Sequence, residues 1–595
     1  MKLAASPVLL MGCLFLGLPL GGLRHPLLWT AFAAFIWVLA SVPSERDAAL
    51  SDGEAFKPWL PWLAWALLSL LVCDQPWRGL FAFSRWLTLL VFFSLAAGAW
   101  RERDSRAWLA GLAAVAAVLG LATLVVPGTF HPRTGLIPPY YNYTVFVEAA
   151  FAAAALAAVG HRDGPRGWKA WALAAVGVFC VAMMVLARSR GGLVAVAAAA
   201  AFWAWRRGLR RPLLWGGLAL ALAAALAPPR AISFLLKLDL SAWFTRPDIW
   251  KAALSVTADH PLAGEGLGNF EAGFLRHNFP KHWASNFGFS ADHAHSEILE
   301  IAAETGWVGL ALFAWGLWAS LRRNGRLGSS WTREAGLCAA AAMAVQCVFD
   351  NMLHLPALGM LFFTSLACAG AKDDAPGEAP AAARAGSAFL GRGLCVAGLI
   401  LALTAWLPRW LVERHVSEAR RTRDPVRRLE ALGRAVRIFP AEAALREDLA
   451  SALLAALPPQ PGRALAELER ARRLSPTNAV TLLRRAEVLL GLSGGADRAG
   501  SPAVASLLNR AVELEPNFLT ARLLRAELWA RAGERESAVR ELGEVERRRA
   551  SLQDEYLFTH YDRMIAACDP ARLSAVRLLA ARPEGAGPAR GRRRR

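Results

Sequence analysis

The chain has 595 residues, 55% of them hydrophobic, with 24 Trp and a formal net charge of +20. Long apolar runs fill residues 7–408 and charge gathers after 409, which excludes a string of soluble domains and points to a polytopic membrane protein with a soluble C-terminal part. Much of the positive charge sits in short loops between apolar runs, where membrane topology explains it better than nucleic-acid binding does.

The eight Cys lie mostly within those runs and form no CxxC pair, so they are small core residues and not a disulfide or zinc framework. The first run lacks the basic region and cleavage site of a signal peptide, and is expected to stay as an uncleaved helix. Thirteen spans of near-bilayer length are predicted, at 7–23, 26–42, 58–73, 79–100, 107–127, 141–160, 168–187, 191–205, 212–228, 295–320, 331–352, 355–371 and 389–408. With the N-terminus in the cytoplasm, the inner loops hold eighteen Lys and Arg and the short outer loops hold five. The opposite orientation inverts that bias. The Arg188-Ser189-Arg190 turn, the long loop 229–294 and everything after the thirteenth span are then expected outside the cytoplasm.

The outer loop is rich in reactive side chains. The loop and the helix start after it carry His260, His277, His282, His293 and His295, and the loop also holds Arg246 in FTRPDIW. Its run DHPLAGEGLGNF spaces glycines as GxGxG with no strand–helix unit around it, so it is not a dinucleotide site but a tight loop lying against the membrane. The next stretch, HSEILEIAAETGWVG, puts Glu297, Glu300 and Glu304 on one helical face. Glu297 suits a helix start electrostatically. Glu304 lies two turns deeper, where an ionisable group is costly and marks function by default. Gly306 and Gly309 would let another helix or a lipid tail approach the backbone.

Residues 372–388 have the composition of a flexible linker, and 389–408 of an additional transmembrane helix. From 409 to about 580 amphipathic helices recur, with Pro440, Pro476 and Pro516 spaced 36 and 40 apart. That is near the tetratricopeptide period of about 34. The second gap is stretched by the Gly-rich insert 491–500. Such a stack is a binding surface or a brace without chemistry of its own. Residues 581–595 are a basic tail expected to be solvated and disordered.

The pattern His295-Ser296-x9-Gly306-x2-Gly309, with the DHPLAGEGLGNF run before it, resembles the bacterial O-antigen ligase and polymerase superfamily, most clearly over 180–320. Ser189-Arg190-Gly191-Gly192 is similar to the family's Ser-Arg motif, and Arg246 with Ile249-Trp250 to its loop arginine. The resemblance implies an all-α bundle of twelve or thirteen spans at residues 1–371 and 389–408, here followed by a tetratricopeptide-like α-solenoid. It implies an enzyme of the bacterial inner membrane, acting on the periplasmic side, that moves a glycan from a polyprenyl diphosphate to an acceptor hydroxyl in a single inverting displacement. His295 would serve as base or acceptor-positioning group and Arg190 and Arg246 as diphosphate-binding groups, with Ser189, Glu304, Gly306 and Gly309 supporting, and without metal or cofactor. The acceptor would be lipid A core in a ligase, another lipid-linked glycan in a polymerase, or a protein; the repeats would hold a protein partner.

Each residue also has a plainer reading. Arg190 alone could anchor a helix at the membrane interface, and His295 alone could cap a helix. His293 and His295 lack a flanking carboxylate or Cys that completes a metal set. A transporter predicts ionisable residues in several spans, where Glu148 and Glu304 are the notable ones. A pure repeat scaffold would not need the His–Arg constellation, and no Asp-x-Asp motif suggests a nucleotide-sugar enzyme.

Overall fold

A computed structural model describes residues 7–20, 23, 25–41, 55–73, 76–125, 141–211, 214–217, 226, 228, 246–277, 291, 293–324, 330–371, 385–476, 478–492, 502–550 and 560–581. Among them there is no β-strand. The protein is an all-α polytopic membrane protein, and its chain forms two compact units: residues 1–273 with 292–411, and 274–291 with 412–595.

The first unit contains α1 (Pro7–Gly17), α2 (Pro26–Ser41), α3 (Leu60–Ser69), α4 (Pro76–Ala99), α5 (Glu102–Val125), α6 (Tyr141–Gly160), α7 (Trp168–Leu186) and α8 (Arg190–Arg206). After these come α9 (Arg246–Asp259), the start of α10 (Phe270–Arg276), α11 (Glu297–Asn324), α12 (Trp331–Phe349), α13 (Pro356–Ala369) and the start of α14 (Ala385–Arg421). Twelve of the thirteen predicted spans coincide with a helix; the ninth, 212–228, lies mostly outside the described residues. Six described helices are long and apolar enough to cross a membrane, and three shorter ones are apolar too.

α12 is the hub, packing on α6, α8 and α13, while α13 packs on α4. Small residues permit this. A Cβ on Gly336 would stand 2.6 Å from the Cys368 Cβ and 2.8 Å from the Ser365 carbonyl oxygen. Every residue of α13 is buried. Beside it, Trp59, Trp62, Trp86, Phe313 and Phe363 form an edge-to-face cluster at centroid distances of 5.2–6.4 Å. Two indole N–H groups in the bundle find partners, Trp59 donating to Ser320 Oγ and Trp37 to Thr88 Oγ1, both at 3.0 Å, whereas the Trp62 N–H is buried with no hydrogen-bond partner among the described residues. In lipid such groups have no water to turn to.

α14 runs unbroken from 385 to 421, with Pro408 inside it. The helix therefore takes in the end of the expected linker and passes the expected start of the repeats. It ends at Arg421, and the next helix starts at Pro425, where the Asp424 carboxylate caps the Val426 N–H at 2.9 Å.

In the second unit the regular elements are three helix pairs. They are α15 (Pro425–Ile438) with α16 (Ala443–Leu454), α17 (Pro461–Leu474) with α18 (Ala479–Leu492), and α19 (Pro502–Leu514) with α20 (Leu519–Ala532). α21 (Arg535–Ala550), α22 (His560–Ala566) and α23 (Pro570–Ala580) complete the unit. Each pair opens on a Pro at the first helical position, where the missing N–H costs nothing. Pro440, Pro476 and Pro516 each fall two residues beyond the first helix, where they prevent its continuation. A contact recurs as well. Arg446 Nε donates to the Pro440 carbonyl at 2.7 Å and Arg446 Nη1 to Glu467 at 2.6 Å. Arg522 Nε donates to the Pro516 carbonyl at 2.5 Å and Arg522 Nη1 to Glu541 at 2.7 Å. The basic tail and most of the Gly-rich insert lie outside the described residues.

Candidate active site

Four helix ends meet at residues 349–350. Asp350 closes α12, with its backbone N–H bonded to the Gln346 carbonyl at 3.0 Å. Arg246, the first residue of α9, donates from Nη1 to the Phe349 carbonyl at 2.6 Å and from Nη2 to Asp350 Oδ2 at 3.2 Å. His295, just before α11, brings Nδ1 to 3.4 Å from Asp350 Oδ1. Gly191, in the first turn of α8, lies beside Phe349, so that a Cβ there would stand 3.7 Å from the Phe349 Cβ. One carboxylate thus joins a histidine and an arginine that are far apart in sequence. The Asp350 side chain is 5% exposed, whereas that of His295 is 40% exposed.

His295 is held in an uncommon backbone state, with φ 48. For a side chain of this kind the left-handed region costs on the order of 1–3 kcal/mol, so surrounding contacts must impose it. Its carbonyl accepts from the Trp250 indole at 3.4 Å. Ser296 then caps α11, with Oγ accepting the Leu299 N–H at 3.4 Å. The histidine precedes the cap and leaves its own ring uncommitted to that role. Ser189 does serve as a cap, accepting the Gly192 N–H at 3.4 Å at the start of α8.

The supporting residues divide differently from expectation. Glu304 does not reach His295; Oε1 accepts the Phe270 N–H at 3.3 Å and so anchors the start of α10. Glu297 is more than a favourable first-turn charge, since Oε2 accepts the Leu353 N–H at 3.2 Å. Gly306 breaks α11, with φ 69 and ψ −178. The backbone of the glycine-rich loop, at Leu262 and Ala263, lies closest to it. The Trp307 N–H donates to the Pro261 carbonyl and the Glu265 N–H to the Ala303 carbonyl, both at 2.9 Å. The Trp65 indole takes the Thr305 carbonyl at 2.9 Å. Gly309 faces that indole, with a Cβ there 3.1 Å from Trp65 Cδ1. The GxGxG run is therefore a plug in the helix break. Gly264 (φ 67) presses on the backbone of Glu304 and Thr305 so closely that a Cβ would meet it at 2.4 Å. A Cβ on Gly306 would be 2.1 Å from the Leu262 carbonyl oxygen. We expect Gly306→Ala to destabilise the protein by about 2–4 kcal/mol, through strain plus that clash. The drop would be read as a lowered thermal midpoint in detergent.

Sequence reasoning passed over two residues. Asp350 stood at the end of a predicted span and Arg85 inside another, and an ionisable group in either place is the available signal. Arg85, on α4, is within electrostatic reach of Glu297, Glu300 and Glu304. Of the other histidines in this segment, His260 pairs with Glu265 at 3.3 Å and His293 with Glu300 at 2.7 Å. His282 lies outside the described residues. Among the described residues no cluster of three or more His, Cys, Asp or Glu is arranged to hold a metal ion.

The fold and this site describe a multi-pass membrane protein with a His–Asp–Arg constellation at the ends of its helices. Residues 175–314 match the family model described as O-antigen ligase. The matched range includes Ser189, Arg190, Arg246, His295, Glu304, Gly306 and Gly309, and stops short of Asp350. No curated protein matches the chain. The family match supports an enzyme of membrane glycan transfer, of the O-antigen ligase or polymerase type.

Proposed function

We propose that the protein transfers a glycan from a polyprenyl diphosphate to a hydroxyl of lipid A core, at the periplasmic face of the bacterial inner membrane. The observation that carries this reading is Asp350, which ties His295 to Arg246. With Nδ1–H turned to the carboxylate, the neutral His295 ring presents Nε2 as a base. The acceptor oxygen attacks the anomeric carbon and gives its proton to that nitrogen. The bond from the anomeric carbon to the diphosphate oxygen breaks with inversion, and the diphosphate leaves with the electron pair. Arg190 and Arg246 supply fixed positive charge for it, and a guanidinium suits phosphate oxygens bidentately. These side chains suffice for the step without a metal or cofactor. Ser189 and Gly192 cap the start of α8 at Arg190, and the Gly306 break holds the loop that follows α9.

The second unit has the Pro spacing and paired helices of tetratricopeptide repeats, and we assign it the role of holding a protein partner on the same side of the membrane. A polymerase is the second reading, because the same displacement with another lipid-linked glycan as acceptor uses the same groups. A deletion strain separates the two. Loss of a ligase leaves long glycans on the polyprenyl carrier and bare lipid A core, while loss of a polymerase leaves single repeats. An unchanged set of surface glycans and lipid-linked intermediates would overturn both.

A further inference from the structure

We infer that Glu300 is a positioning residue, a clamp that sets His295 in its left-handed backbone and holds it against Asp350. The inference rests on the reading of His295 as the base. Glu300 lies one turn into α11 and is nearly buried. Its carboxylate takes three donors: Oε1 faces His293 Nδ1 at 2.7 Å, and Oε2 accepts the Ala294 N–H and Asn351 Nδ2, both at 3.0 Å. Ala294 immediately precedes His295, and Asn351 immediately follows Asp350. The Asn351 backbone N–H in turn donates to Asp350 Oδ1 at 3.2 Å. One side chain therefore stitches the turn that presents the histidine to the turn that presents its carboxylate. A φ of 48 at His295 needs such restraint, because the relaxed backbone of a histidine lies elsewhere.

The donor pattern makes glutamine a discriminating substitution. In Glu300→Gln the amide oxygen can keep Ala294 and Asn351, while the amide NH2 turns to His293. His293 accommodates this by moving its proton to the other ring nitrogen. The clamp then survives, and only the charge is lost. Glu300→Ala removes the clamp altogether.

The test measures transfer in membranes with defined lipid-linked donor and acceptor, beside His295→Ala as reference. Glu300→Ala should lower kcat about 10²-fold with the KM for donor unchanged, as expected for a misplaced base. Glu300→Gln should stay within about threefold of wild type, since the geometry is kept. Asn351→Ala should fall between them, and Glu300→Ala with Asn351→Ala should be no worse than Glu300→Ala alone, because both cut one link. The glutamine variant also controls for folding, since it keeps the buried shape. The inference is overturned if Glu300→Ala turns over at the wild-type rate while His295→Ala is inactive. It is equally overturned if Glu300→Gln falls as far as Glu300→Ala, which would make the charge of the Glu300 carboxylate, and not its hydrogen bonds, the active feature. An active His295→Ala overturns the reading of the base itself, and the clamp with it.

Discussion

His295→Ala should abolish glycan transfer while the protein still inserts in the membrane. The ring is 40% exposed and packs into no apolar core, so its removal leaves no large cavity. Loss of a general base typically lowers a rate by about 10²–10⁴-fold. Donor synthesis lies upstream of this step, so lipid-linked glycan should accumulate in cells carrying the variant. Arginine contacts to the diphosphate would remain, so the donor should still bind. Two measurements check this: the rate of transfer to acceptor in membranes, and the amount of glycan retained on the carrier. Transfer at the wild-type rate would remove His295 from the centre of the site.

Asp350→Ala should be nearly as damaging, for two reasons that can be separated. The His295 ring loses the carboxylate that fixes which nitrogen carries its proton. Arg246 keeps its bond to the Phe349 carbonyl but loses its charge partner. Truncating one member of a buried ion pair costs about 3–5 kcal/mol through the charge left behind. Arg246 is partly exposed, so the lower end of that range applies to stability. We expect transfer to fall about 10²–10⁴-fold. Asp350→Asn should rescue poorly, because an amide has one accepting oxygen and must present its NH2 to either His295 or Arg246. A cycle with His295→Ala decides the cause. If Asp350 acts through the histidine, the double variant should be no slower than His295→Ala. A further large loss would show that Asp350 works chiefly through Arg246.

The membrane helices were legible because apolar runs of bilayer length have few alternatives. The paired helices of the second unit were legible from prolines that both start and stop helices. Arg190, Arg246 and His295 were singled out through a local motif and through polar residues at the ends of apolar runs, and two of them, Arg246 and His295, meet at one carboxylate. Asp350 was not, because its partners lie 55 and 104 residues away in sequence and no spacing rule connects them. Glu304 shows the opposite failure. An acidic residue two turns into a span invites a chemical role, yet here it caps the loop helix that begins at Phe270. Periodicity places the three glutamates on one face but says nothing of which backbone N–H each one meets. The break at Gly306 was hidden too, since a glycine in an apolar helix more often marks close packing than a chain interruption.

The start of α8 adds something that substitution cannot remove. Its first turn contains no acidic side chain, and Arg190 is followed by two glycines. Its leading amide groups therefore point their partial positive charge past Arg190, unneutralised by the helix itself. That charge amounts to roughly half an elementary unit and belongs to the backbone, so it is the same at any pH and in any Arg190 variant. If Arg190 binds the diphosphate as proposed, its guanidinium adds to a backbone charge that the helix start already carries.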